Sequence, residues 1–172
     1  MRVALVLFLM LTGCGIRQPV AISVLTPFQD RFPTQPDTGL TPGSLCQNPD
    51  YERYAEKIPY CNRNVDSSTK REIIREYDSE LGYSIGEMDR QDFKIDHFIP
   101  LSIGGSNSED NLWPQHKSVY SLTDKIEDLL HLTLEKSVLK QAEAIEKIRY
   151  IKFNLDEAKQ MEQELEQLLN DK

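Results

Sequence analysis

Residues 93–127 read FKIDHFIPLSIGGSNSEDNLWPQHKSVYSLTDKIE, and this stretch decides the fold. Phe93, Ile95 and His97 alternate with Lys94 and Asp96, the period of a half-buried strand. Pro100 and Gly104-Gly105-Ser106-Asn107 are turn chemistry. Leu112-Trp113 predicts a second short strand, ended by Pro114. Ser121 with Asp124 predicts the cap of a helix carrying Ile126, Leu129, Leu130 and Leu134. Residues 90–135 thus read strand, loop, strand, helix.

Downstream, residues 136–172 read as helices. Asn154 with Glu157 is a further cap pattern, leading Leu155, Ala158, Met161, Leu165 and Leu168 along one side. Upstream, residues 46–89 open with an irregular segment, CQNPDYERYAEKIPYCNRNVD. Thr69 and Glu72 then form a capping-box pattern, predicting a helix that ends near Leu81-Gly82. The predicted class is α+β: a small strand–strand–helix core with additional helices and a mostly helical C-terminal half.

The N-terminus reads as an address. MRVALVLFLMLTGC places one Arg before an uncharged run, Val3 to Leu11, too short to span a bilayer at about 20 residues. This is the pattern of a secretory signal, and Leu11-Thr12-Gly13-Cys14 resembles the bacterial lipoprotein signal. That resemblance implies removal of residues 1–13, lipidation of Cys14 and anchoring in the cell envelope. Residues 14–45 hold five of the nine prolines and read as a tether, with the folded part starting near Cys46. In an exported protein Cys46 and Cys61 are an even pair. Their spacing is unlike a CxxC metal clip, so a disulfide is expected rather than zinc.

The chain has 172 residues, 20 Lys plus Arg against 28 Asp plus Glu, and a net charge of −8. That length suits one domain with appendages. The acidic balance excludes a protein that holds nucleic acid by overall charge. Any such contact needs a local basic surface or a bound metal.

Ile95-Asp96-His97, Pro100-Leu101, Gly104-Gly105-Ser106-Asn107 and Asn111-Leu112, with 14 residues from His97 to Asn111, resemble the HNH endonuclease family. Its catalytic unit is two strands and a helix around one metal ion. The resemblance implies a metal-dependent nuclease, with DNA favoured over RNA. Asp96 would bind the metal, His97 would activate water, and Asn111 would brace the loop. The chemistry agrees: a phosphodiester needs a base for water and positive charge at the leaving oxygen. A neutral imidazole suits the first. A carboxylate on Mg²⁺, or alternatively Mn²⁺ or Zn²⁺, suits the second. Consecutive strand residues point to opposite faces, so Asp96 and His97 share a site only if the strand bends.

Many members of that family place a further His or Asn on the helix. Here Tyr120 stands nine residues beyond Asn111. His116 and Glu127 are taken as the additional metal candidates, with Ser121 and Asp124 as others nearby. The departure keeps a second class open: a noncatalytic envelope lipoprotein using the small fold as a binding or scaffold module. Arg53, Lys57, Arg63, Lys70, Arg71 and Arg75, with Tyr51, Tyr54 and Tyr60, are equally a track for a phosphate backbone or an ordinary solvated face.

Overall fold

The computed structural model describes residues 31–171; the signal segment, Cys14 and the first part of the tether lie outside the described residues. The fold is α+β. Two-stranded antiparallel sheets form from β1 (Tyr51–Arg53) with β2 (Ile58–Tyr60), and from β3 (Phe93–His97) with β4 (Leu112–His116). The helices are α1 (Ser67–Leu81), α2 (Lys117–Glu135), α3 (Gln141–Phe153) and α4 (Ala158–Asn170). β3, β4 and α2 are consecutive, and α2 packs against both α3 and α4.

The β3–β4 register pairs Phe93 with His116, Ile95 with Pro114, Asp96 with Trp113 and His97 with Leu112. Pro114 therefore lies inside β4 and does not end it. A two-stranded sheet leaves one edge of each strand without a ladder partner, so a missing N–H is tolerated there. Alternation sends Lys94, Asp96 and Gln115 towards α2, where Gln115 Nε2 donates to Thr123 Oγ1 at 3.1 Å. Phe93, Ile95 and Leu112 face the other way and share a core with Ile73 and Tyr77 of α1.

Two of the three expected caps shift towards the N-terminus. α1 is capped by Asp66, whose carboxylate accepts from Thr69 N–H at 2.8 Å. That bond, with the Ser68 hydroxyl, holds the Asp66 carboxyl down to about 2. α2 begins directly after β4 because the His116 ring accepts from Ser118 N–H at 3.2 Å. Ser121 and Asp124 thus lie inside the helix. Asn154 does not cap through its side chain, which donates to Tyr150 O at 2.8 Å; a 3₁₀ turn over Leu155–Glu157 leads into α4 instead.

The expected start of the folded part is also revised. Within 31–45, Thr41 is fully buried and completes a chain of hydrogen bonds. Asp37 N–H donates to Tyr77 Oη at 3.1 Å, Tyr77 to Thr41 Oγ1 at 2.7 Å, and Thr41 to Leu112 O at 3.0 Å. Gly43 N–H donates to Asp110 O, and Leu45 bridges Gly105. The proline-rich segment is packed here because it covers the open edge of the hairpin and supplies partners for buried polar atoms. Cys46 and Cys61 are disulfide-bonded, with Cα atoms 5.8 Å apart.

Candidate metal centre

Asp96 reaches the α2 face of the hairpin, opposite Asp124 and Glu127. These two stand three residues apart and so share one side of the helix. One carboxylate oxygen from each of the three lies within 4.8 Å of the others. That is roughly the 4–5 Å separating opposite oxygens around a hard cation with ligands at 2.0–2.6 Å. Asp96 is 6 % exposed. Asp96 Oδ2 and Glu127 Oε1 are buried, and each meets a lysine ammonium.

Two ammonium groups of the protein compensate these charges. Lys94 Nζ lies 3.0 Å from Asp96 Oδ2 and 2.6 Å from Asp124 Oδ1. Lys152 Nζ, fully buried on α3, lies 2.7 Å from Glu127 Oε1 and donates to the His97 carbonyl at 2.7 Å. Burial alone would raise the Asp96 pKa, but Lys152 and Lys94 outweigh it and hold the carboxyl below its ordinary value. Burial pushes Glu127 up to about 7 against the pull of Lys152. With all five groups ionised, three carboxylates and two ammoniums leave the cluster at −1. The oxygen-only donor set fits Mg²⁺ or Mn²⁺ better than zinc, which takes nitrogen and sulfur.

His97 lies on the opposite face. Its Nε2 is 3.2 Å from Asn107 Oδ1. Asn107 Nδ2 donates to Asn62 O at 2.7 Å, and its Oδ1 accepts from Asn64 N–H at 3.2 Å. These bonds fix the amide, so His97 Nε2 carries the proton and Nδ1 keeps its lone pair. Burial lowers the imidazole to about 4, with Arg63 and Lys152 adding to the effect and the Asn107 bond opposing it. The ring is neutral at pH 7, and His97 is only 2 % exposed. Asn107 of the glycine loop lies against the ring and is tied in turn to Asn62 and Asn64. β3 stays paired through His97, so no bend turns the two side chains to one side.

Asn111 braces the β3–β4 connection. Its Oδ1 accepts from Ile99 N–H at 2.8 Å, and its Nδ2 donates to Ile99 O and Ser106 O, both at 2.9 Å. The loop passes so close to itself that a Cβ on Gly105 would lie 1.8 Å from Ile99 O. Gly104 takes a positive φ of 97°.

Asp96 and Glu127 therefore converge, as expected, and Asn111 holds the loop. His116 does not belong to the cluster. It pairs with Phe93, four residues from the His97 end of β3 or about 13 Å, where its ring caps α2 and stacks on Phe32 at 4.0 Å. Sequence reading missed Lys94 and Lys152 as site residues and named Asp124 only as a further candidate behind His116 and Glu127. The Asp124/Glu127 spacing was a usable signal. Lys152 gave none, because nothing local marks a lysine that tertiary packing will bury. Of the basic segment, Arg63 donates to Ile95 O at 3.0 Å, and the Arg53 guanidinium lies over the Tyr60 ring at 4.8 Å. Compared with protein-family models, curated proteins and solved structures, the chain matches none.

Proposed function

We propose that the protein is a metal-dependent nuclease of HNH type that hydrolyses nucleic-acid phosphodiesters, DNA before RNA, from a lipid anchor at Cys14 in the cell envelope. The observation that carries this reading is the carboxylate cluster. Asp96, Asp124 and Glu127 present oxygens within 4.8 Å of one another at the join of a β-hairpin and its helix, beside a loop braced by Asn111. Asp96 and Glu127, with one buried oxygen each, and half-exposed Asp124 would hold a divalent ion. When bound, such an ion polarises a phosphoryl oxygen and acidifies a coordinated water. Lys152 offsets one of the two negative charges in the buried part of the cluster. His97 offers Nδ1, unprotonated above about pH 4, as the proton acceptor. The ring and the carboxylates occupy opposite faces of β3, so the metal chemistry is assigned to the carboxylates and the part of His97 is tested separately.

The test is cleavage of supercoiled plasmid and of RNA by the purified protein with Mg²⁺, Mn²⁺ or Zn²⁺. Cleavage by the wild type and at least 100-fold less by Asp96→Asn is expected for a ligand on the metal. Intact substrates with all three ions overturn the reading. His97→Ala separates the two roles: unchanged cleavage removes His97 from the chemistry and leaves the metal site standing. A second reading, a noncatalytic envelope lipoprotein, is favoured by one observation, the compensation of the carboxylates by Lys94 and Lys152 without any ion.

A further inference from the structure

We propose that Lys94 is a built-in counter-ion that occupies the cation position of the carboxylate cluster and exchanges with a divalent ion by swinging out into solvent. This rests on the metal-site reading above. Lys94 Nζ bridges Asp96 and Asp124, at 3.0 and 2.6 Å, as a small cation held by two of the three carboxylates would. It also lies 4.8 Å from the centroid of the Tyr120 ring, a cation–π contact made at the open side of the cluster together with the two ion pairs.

The two lysines are not equivalent. Lys152 is fully buried and tied to the His97 carbonyl; moving it would leave that acceptor and Glu127 without a partner. The Lys94 side chain is 34 % exposed, and its four-carbon stem can carry the ammonium into water at small cost. Lys94 is therefore the mobile charge, and it stands on the open side of the cluster.

Charge counting gives the consequence. With Lys94 in place and all three carboxyl groups ionised the cluster carries −1. With Lys94 out and a divalent ion in, three carboxylates, Lys152 and the ion sum to zero. A monovalent ion in the same exchange would leave −1, so it gains nothing over the ammonium already present. Lys94 thus weakens cation affinity in general and confines the site to divalent ions. It also links loading to the exposure of Asp96, which the lysine covers.

Mn²⁺ titration, followed by loss of the free-ion signal in electron paramagnetic resonance, reads binding without any cleavage assay. Lys94→Met in the full chain should bind one Mn²⁺ at least about tenfold more tightly than the wild type, and Asp96→Asn added to it should abolish that site. Equal or weaker binding by Lys94→Met, with the fold intact by circular dichroism, overturns the inference and leaves the metal site standing. Mn²⁺ binding by neither protein overturns both. In the wild type, the Lys94 Nζ resonance should move towards a solvated lysine on adding Mg²⁺; retention of its position while Mg²⁺ binds also overturns the exchange.

Discussion

The Lys152 ammonium on α3 lies 2.7 Å from the Glu127 carboxylate on α2, and the lysine has no solvent exposure. A buried pair of this kind is costly to break from one side, because the remaining charge is left uncompensated in a low dielectric. Lys152→Met is expected to destabilise the protein by about 3–5 kcal/mol in urea unfolding. Lys152→Met with Glu127→Leu should recover most of that loss. If the double variant is as unstable as the single one, the pair is not the source of the cost.

His97 and Glu127 make opposing contributions to the pH dependence of stability in the metal-free protein. The His97 imidazole sits at about 4, below its ordinary value, so its contribution is full above about pH 6.5 and is lost as pH falls through 4. Glu127, raised to about 7, contributes fully below about pH 4.5 and loses that contribution as pH rises through 7. Each displacement corresponds to about 3 kcal/mol at most, so the two offset each other between pH 4.5 and 6.5. Glu127→Gln should leave stability rising with pH across that window; His97→Gln should leave it falling. Denaturant midpoints with a chelator present read the slopes, and equal slopes in the two variants would contradict the assignment.

Asn111 makes three hydrogen bonds to buried backbone groups of the loop. Asn111→Ala removes them and leaves Ile99 N–H, Ile99 O and Ser106 O without that partner. A loss of about 3 kcal/mol or more is expected by denaturation. Gly105→Ala should be at least as damaging, since its Cβ would meet the Ile99 carbonyl at 1.8 Å. A Gly105→Ala protein of wild-type stability would show that the loop does not pass Ile99 this closely.

The Cys46–Cys61 disulfide closes a separation of 15 residues. Its loss in Cys46→Ala/Cys61→Ala should lower stability by up to about 3 kcal/mol in the chain-entropy description. Reductant should shift the melting midpoint of the wild type and leave that of the variant unchanged. The same midpoint for both proteins without reductant would mean that the bridge adds nothing.

Much of the hairpin was legible because alternation is local. Phe93, Ile95 and His97 share a face for the same reason that Lys94 and Asp96 share the other. The caps were misplaced because the residues that cap, Asp66 and His116, do so from outside the patterns that announce helices. Asp66 satisfies the first turn of α1 from three residues before Thr69. The His116 ring does the same for α2, a role no histidine motif advertises. Pro114 looked like a stop signal, yet a two-stranded sheet has edges on which a proline is harmless.

Residue order alone determined the α+β class, the strand–loop–strand–helix succession and the cysteine pair. All of these follow from periodicity, turn chemistry or oxidation state, which act over a few residues or by composition. Tertiary packing alone decided which charges meet. It brought Lys152 from α3, 55 residues beyond the His97 carbonyl it binds, to the carboxylates of β3 and α2. It also sent His116 to the far end of the hairpin and kept His97 on the face opposite Asp96. Electrostatic compensation depends on distance in space, and no spacing along the chain records it.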